Sequence, residues 1–411
     1  MDSASRPLWS WTDRPTKPLS GAVETEFAVV GAGIGGLSTA LHLAAMGRDV
    51  VVIDGAIEHW DGAGASAGII APQLVRNSPH DVLRKLGREP GERLLRMVAE
   101  SGKYAFGFIS GHRLACQASN NGFLAPLTGN NGFALTEQWK PFRSDLEWLG
   151  ESETAALTGC KGYLGAIYDP SGGTVDPVAL LQGLERDCGA RLFRASAATR
   201  IAEGEVITAG GSVRARHILL CANGGNAGLD PRLQGSVLPL PVYEVATVPI
   251  PREMRTVILP HGHAMTDIST DVFSLRYDRD GRLITALPAA QKLSAEEIEV
   301  RVNRRLVAML QVHQPLKLDY VWHGTAWLNP NLLPRATVLD RGLTALQACN
   351  GRGLANNLIA GRELARWLTD PNYVPLLPFG KPSRLPAYGL LKYLPRLMMA
   401  GSALLRRTHD H

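Results

Sequence analysis

Residues 27–54 read FAVVGAGIGGLSTALHLAAMGRDVVVID, and they limit what the chain can fold into more sharply than any other stretch. Phe27–Val30 is an apolar run of strand character, apolar residues recur at helical spacing from Leu37 to Met46, and Val50–Ile53 is a second buried-strand run ending in Asp54. That order predicts a βαβ unit with two parallel strands. Between the first strand and the helix, Gly31-Ala32-Gly33-Ile34-Gly35-Gly36 fits G-x-G-x-x-G. In such a turn Gly31 permits the tight reversal, Gly33 lets the helix N-terminus approach a pyrophosphate without a Cβ, and Gly36 lets helix and sheet pack closely. The helix N-terminus offers free N–H groups and a positive dipole end to phosphates. Asp54, about 18 residues beyond Gly36, is placed to accept hydrogen bonds from ribose hydroxyls. A purely structural glycine turn would leave that acid unexplained, so the unit predicts dinucleotide binding.

Composition narrows the class without naming a function. The chain has 411 residues, 45% of them apolar, with a formal net charge of +5. At roughly 100–200 residues per domain, this allows two or three domains or one large interleaved fold. The pI near 9.0 comes with no helix-turn-helix, zinc finger or aromatic-basic pattern, so no nucleic-acid partner is expected. Five scattered cysteines, Cys116, Cys160, Cys188, Cys221 and Cys349, lack C-x-x-C spacing. They argue against a disulfide framework or zinc site and for a reducing, cytoplasmic compartment. Residues 27–47 carry no Asp, Glu, Lys or Arg and are long enough to span a bilayer, but four glycines break the run after a short strand. The opening MDSASRPLWSWTDRP is too polar and proline-rich for a signal peptide.

The motif alone does not separate NAD from FAD. An NAD domain would continue with further βα units. Here the chain continues with GAGASAGIIAPQ (62–73), nine of whose twelve residues are Gly, Ala, Ser or Pro, and then a helical stretch over 79–110. Backbone this bare suits a segment against which something flat must lie.

Several stretches together resemble the D-amino-acid oxidase-like flavoprotein amine oxidoreductases, nearest to γ-glutamylputrescine oxidase-type members. The aromatic leader LWSWTDRPTKPLSG (8–21) precedes the βαβ unit, and GAGAS (62–66) is similar to the family's segment against the flavin. GGTVDPVALLQGLERDCGARLF (172–193), RARHILLCANGG (214–225), SVLPLPVYEVATVPI (236–250), DVFSLRYDRDGRLITA (271–286), LDYVWHGTAW (318–327) and TALQACNGRGLANNLIAGRELARWL (344–368) follow in the family's order. Independently, Asp278-Arg279-Asp280-Gly281 between two β-prone runs predicts a hairpin. The expected fold is α+β, an α/β FAD-binding Rossmann-like domain with an inserted antiparallel-sheet substrate domain. The FAD-binding part would be residues 1–80, 150–235 and 335–411, and the substrate part 81–149 and 236–334.

The resemblance implies FAD, held non-covalently rather than covalently, with further contacts from Gly55, Gly64, Ala65, Ser66, Ala67, Gly68, Ile69, Ile70, Thr199, Cys221, Ala222, Asn223, Gly224, Asn350, Gly351, Arg352, Gly353, Leu354 and Ala355. It implies oxidation of a C–N bond of a primary or secondary amine, by hydride transfer to flavin N5, giving an imine. The partners are then a small-molecule amine and an electron acceptor, either O2 or a quinone or electron carrier. Two other readings stay open: a flavin dehydrogenase acting on another C–H bond of a specialised metabolite, and a catalytically silent flavoprotein subunit. No catalytic acid or base is assigned; the substrate-site expectations are Asp267, Arg276, His263, Trp322 and Tyr243.

One departure bears on substrate. In glycine-oxidising members an Arg follows W-x-G by two residues and clamps the substrate carboxylate, whereas Trp322-His323-Gly324 is followed here by Thr325 and Ala326. A carboxylate is best held by a bidentate guanidinium, so Arg276 or Arg352 would have to substitute. Asp267 reads either as an ammonium ligand or as a turn cap. His261-Gly262-His263 lacks a third ligand motif, so no metal is expected. Cys349 reads as a small core residue. The tail, residues 385–407, reads first as a helix packed on the fold and second as a basic amphipathic helix in peripheral contact with a membrane.

Overall fold

The computed structural model describes residues 7–12, 17–58, 61–267, 272–288, 291–310, 312, 314–347, 350–382, 384–391 and 393. Cys349 and nearly all of the tail beyond Leu391 lie outside the described residues.

The expected βαβ unit forms the centre of a mixed eight-stranded sheet. Its main path runs Arg335–Asp340, Leu343–Gln347, Gly211–Leu220, Gly21–Val30, Val50–Ile53, Arg191–Phe193. All neighbours along it are parallel except the edge pair Arg335–Asp340 with Leu343–Gln347. A ribbon of Ala198–Ala202 and Glu205–Thr208 extends from Gly211–Leu220. Val50–Ile53 is buried at every position, as expected for a strand covered on both faces.

The helix Ile34–Ala45 makes the crossover and packs against Gly353–Thr369. Their closest approach needs a glycine: a Cβ on Gly361 would stand 2.5 Å from Ser38 Cβ, and the Ser38 hydroxyl donates to the Leu358 carbonyl at 2.6 Å. Gly31, at φ +109°, lies where a Cβ would meet the Cys221 carbonyl carbon at 2.8 Å, and a Cβ on Gly36 would stand 2.0 Å from the Gly31 oxygen.

A second eight-stranded sheet runs Leu318–Leu328, Leu238–Pro249, Arg282–Pro288, Ser274–Tyr277, Ala264–Thr266, Phe123–Leu127, Gly165–Asp169, Glu147–Gly150. Only the junction of Ala264–Thr266 with Phe123–Leu127 is parallel. The expected hairpin is present: Asp278 Oδ1 accepts from the N–H groups of Asp280 (2.9 Å) and Arg282 (2.8 Å), and Gly281 takes the left-handed turn at φ +80°. Helix Ala295–Met309 covers one face of this sheet, contributing Ile298, Val302 and Leu306 to its core.

Two segments depart from the boundaries expected from sequence. Helix Arg88–Gly111 belongs to the stretch 81–149, yet its stripe Leu94, Leu95, Val98, Ala105 and Phe108 joins the core of the parallel sheet, against Gly353–Thr369. Strand Gly165–Asp169 belongs to 150–235, yet it pairs on both sides within the second sheet, because Phe123–Leu127 and Glu147–Gly150 supply its ladder partners.

The bare segment 62–70 runs between the two sheets and is held from several sides. Trp9 Nε1 donates to the Ser66 carbonyl and Trp322 Nε1 to that of Ala65, both at 2.9 Å, the two indoles meeting edge to face at 6.2 Å. Arg276 Nη1 lies 3.0 Å from the Ala67 carbonyl, 2.9 Å from that of Gly68 and 2.7 Å from that of Val175. Ile69–Ile70 then pairs with Gly173–Thr174.

The two glycines of the first turn make separable predictions. Gly36→Ala drives a Cβ into backbone and should cost about 1–3 kcal/mol, as overpacking does. Gly33→Ala adds its methyl where nothing lies within 4 Å and should leave the melting temperature of the flavin-free protein unchanged. Thermal denaturation of the two apoproteins checks both.

Candidate active site

A cavity of about 630 Å³ lies along the line where the two sheets meet the 62–70 segment. One end is built by the nucleotide-binding turns. Gly31, Gly33, Ile34, Gly35 and Asp54 line it, with Cys221, Ala222 and Asn223 from the next parallel strand's end. The Asp54 carboxylate is fixed there, accepting from the N–H groups of Ala32 (2.6 Å) and Ala56 (2.7 Å).

Asn350, Gly351, Arg352, Gly353 and Leu354 complete this wall at the start of helix Gly353–Thr369. Asn350 and Gly351 both take left-handed backbone, φ +43° and +73°, which makes the sharp entry into that helix. Neither this helix nor Ile34–Ala45 has a side-chain cap or an acid in its first turn. Two helix N-termini therefore bring uncapped N–H groups and positive dipole ends to one cavity.

The residues present fit FAD. A Cβ on Gly33 would project into open space, which is where a pyrophosphate must approach. Asn350, Arg352 and Asn357 line this cavity, and among the described residues Asn350 Nδ2, Arg352 Nε and Asn357 Oδ1 are buried there without hydrogen-bond partners. Buried polar atoms left open in this way are explained by a polar ligand.

The other end of the cavity is walled by Ala65, Ser66, Ala67 and Ile69 and by the second sheet. Along Leu238–Pro249 the lining residues are Leu238, Leu240, Val242 and Glu244, the even positions of one strand face. Thr266, Asp267, Ser274 and Ala286 come from neighbouring strands and the turn after one of them, and Gly324 to Leu328 from the edge strand.

Of the five substrate-site residues expected from sequence, only Asp267 lines this cavity. Its carboxylate accepts from the Phe273 N–H (2.8 Å) and the Tyr163 hydroxyl (3.1 Å), so it ties the end of strand Ala264–Thr266 to the start of Ser274–Tyr277. Burial pulls the guanidinium of Arg352, another lining residue, down to about 10, opposed by the charge of Asp267.

The other four are turned elsewhere. Tyr243 has the opposite parity to Glu244; its hydroxyl accepts from the Leu293 N–H at 3.1 Å on the far side of the sheet. Trp322 is spent on the Ala65 carbonyl. His263 Nδ1 pairs with the Asn121 carbonyl and its ring lies edge-on to Tyr168, and burial lowers its pKa. Arg276 is 3% exposed and held on backbone carbonyls, so it cannot also clamp a substrate carboxylate.

Several expected cofactor residues also stand off the cavity. Gly36, Gly55 and Gly224 are closed over by Gly31, Ala197 and Trp327 respectively. Gly64, Gly68, Ile70 and Ala355 lie behind the lining. Thr199 is exposed on the outer ribbon, its hydroxyl donating to the Ile207 carbonyl at 3.1 Å. Among the described residues no group of three His, Cys, Asp or Glu is placed to hold a metal ion.

Sequence reasoning missed Glu244. It is 8% exposed, and among the described residues its Oε2 has no hydrogen-bond partner. Burial pushes its carboxyl up to about 8, opposed by Arg276 and the Ala67 N–H. The available signal was a single charged residue within SVLPLPVYEVATVPI, in register with apolar Leu238, Leu240 and Val242.

The chain is similar to γ-glutamylputrescine oxidoreductase of Escherichia coli strain K12, 26% identical over 371 residues covering 86% of each chain. It is 25% identical to the probable oxidoreductase OrdL of Rhizobium meliloti over 377 residues, 85% of each. In fold it resembles glycine oxidase from Geobacillus kaustophilus, with a TM-score of 0.69, 17% identity and coverage of 84% of this chain and 95% of the other. It resembles iminodiacetate oxidase from Chelativorans sp. BNC1 likewise, with a TM-score of 0.68, 20% identity and coverage of 87% and 100%. Residues 26–367, which carry the βαβ pattern, nearly all of both sheets and most of helix Gly353–Thr369, match the DAO family described as FAD dependent oxidoreductase, and the chain belongs to that family.

Proposed function

We propose that this FAD-dependent oxidoreductase oxidises the C–N bond of a primary or secondary amine that lacks an α-carboxylate, releasing an imine. FAD bound in the cavity supplies the hydride acceptor at N5. The protein's part is to hold the nucleotide at the helix N-termini, fix the flavin against the 62–70 segment, and dock the amine at the walls of the second sheet.

The observation that carries this reading is the charge of the cavity. Carboxylates of Asp54, Asp61 and Asp267 line it, with the Glu244 carboxyl able to join them on losing its proton, whereas its guanidinium groups among the described residues are Arg76, on an exposed residue, and Arg352, whose charge interacts with Asp267. Such a lining favours a cation over an anion. Where glycine-oxidising members of the family carry their clamp, Thr325 and Ala326 line the wall, and the Thr325 N–H donates to Asp61 at 2.7 Å. The names of the two fold neighbours agree on the bond: glycine and iminodiacetate each offer a C–H next to nitrogen.

Non-covalent FAD is supported by Cys221, a cysteine of the cavity wall. Burial pushes its thiol up to about 12, so it is not a thiolate nucleophile at neutral pH. No helix among the described residues is long and apolar enough to cross a membrane.

Two experiments follow. Gly33→Val should leave a folded protein whose FAD affinity falls about tenfold or more, a loss of ~1.4 kcal/mol or greater; visible absorbance per mole of protein reads it, and full flavin occupancy would remove the pyrophosphate from this turn. Anaerobic mixing of the holoenzyme with primary and secondary amines should bleach the flavin, with glycine a poorer reductant than an amine lacking the carboxylate. Flavin untouched by every amine would remove the amine assignment. The rate of reoxidation in air then distinguishes an oxidase from a dehydrogenase feeding a quinone or protein carrier.

A further inference from the structure

Neither the fold nor the nucleotide turns account for Glu244. It sits mid-strand, directly across the ladder from Trp322 on one side and Ala286 on the other. From the Ser274–Tyr277 strand it is faced by Arg276, which is itself flanked by Asp278 and Asp176; from the 62–70 segment it is faced by the Ala67 N–H. Asp267 and Arg352 share the same cavity. Arg276 directs its Nη1 at three carbonyls, and Glu244, a lining residue of the cavity, keeps its buried Oε2 without a partner among the described residues. A structure that buries a carboxylate oxygen and leaves it unpaired beside an open cavity holds it ready for a ligand hydrogen bond.

We propose that Glu244 receives the substrate nitrogen and takes up its ammonium proton, so that the amine is oxidised as the neutral base. This rests on the amine reading of the same cavity. In the step, an N–H bond of the ammonium breaks and an O–H bond forms on the Glu244 carboxylate. With FAD bound, the nitrogen lone pair so freed would let the adjacent carbon pass its hydride to flavin N5 and leave as an iminium, and the proton on Glu244 passes to water after the product leaves.

The environment suits the transfer. An ordinary carboxylate titrates near ~4 and an alkylammonium near ~10, too far apart for ready exchange. Burial has moved Glu244 to about 8, despite the opposing Arg276 and Ala67 N–H.

The linkage has a defined sign. Below about 8 the free site carries its proton, so binding an ammonium there releases one proton and affinity climbs about tenfold per pH unit. Above that pH, Glu244 has already ionised, and affinity stays level until the amine itself titrates near ~10.

The test compares wild-type holoenzyme with Glu244→Gln, using n-butylamine as the probe, anaerobically, between pH 6 and 11. Equal flavin content and melting temperature establish that the variant is folded and loaded. Binding is read from the perturbation of the flavin spectrum, and the ligand-free spectrum is titrated alongside. In the wild type the affinity profile should break near pH 8. In the variant the break should move to the amine's own pKa, with affinity at pH 9 about tenfold lower or worse. The ligand-free flavin should show a spectral step near pH 8 that the variant lacks. A break in the same place in both proteins would overturn the proposal. A ligand-free step without any amine binding would overturn it differently, by removing the amine reading while leaving Glu244 as an ionising group of the site.

Discussion

One buried guanidinium joins the parts of this molecule that must meet for its chemistry. Arg276 comes from the hairpin of the second sheet and directs its Nη1 at the carbonyls of Ala67 and Gly68 in the bare segment and of Val175 beyond it. Carbonyl groups of irregular backbone need partners once they are buried; that of Gly68 also accepts from the Val175 N–H at 2.8 Å, while those of Ala67 and Val175 lie outside the strand pairing. Burial pulls Arg276 down to about 10, while Asp278, Asp176 and Glu244 oppose the shift. The same cation that anchors the bare segment therefore acts on Glu244, a carboxyl of the cavity lining. Fixing the backbone and tuning the acid are two results of one charge placement.

The segment itself depends on having almost no side chains. Two tryptophans donate to its carbonyls from opposite ends of the chain, Trp9 to Ser66 and Trp322 to Ala65. A Cβ on Gly68, at φ +75°, would stand 2.1 Å from the Val175 oxygen, and one on Gly324 would stand 2.5 Å from Ala65 Cβ. The segment thus presents a bare surface to the cavity on one side and is packed without slack on the other.

Much of this was legible in one dimension. The βαβ unit is a local pattern: strand, glycine turn, helix, strand and acid lie within 28 residues (27–54), and the structure puts Gly31, Gly33, Ile34, Gly35 and Asp54 on one wall as that spacing requires. The hairpin around Asp278–Gly281 was equally local. The substrate side was read less well. Tyr243 and Trp322 drew attention as large aromatics, but strand parity sends Tyr243 to the far face and a hydrogen bond seats Trp322 beneath Ala65. Thr199 fell on a ribbon whose outward position depends on its partner Glu205–Thr208.

The sequence by itself determined that the chain binds a dinucleotide, that the cofactor is flavin-like in its demand for bare backbone, and that an antiparallel sheet lies between the nucleotide-binding strands. These follow from periodicity, glycine spacing and short-range turn chemistry, which the chain carries locally. Only the tertiary structure decided that Arg276 is a backbone tie, that Asp267 is a brace, and that Glu244 is the open carboxylate. A polar group's role depends on which partners remain for it after folding. Those partners come from residues as distant as Ala67, Val175 and Trp322, brought together by sheet register that no local pattern encodes.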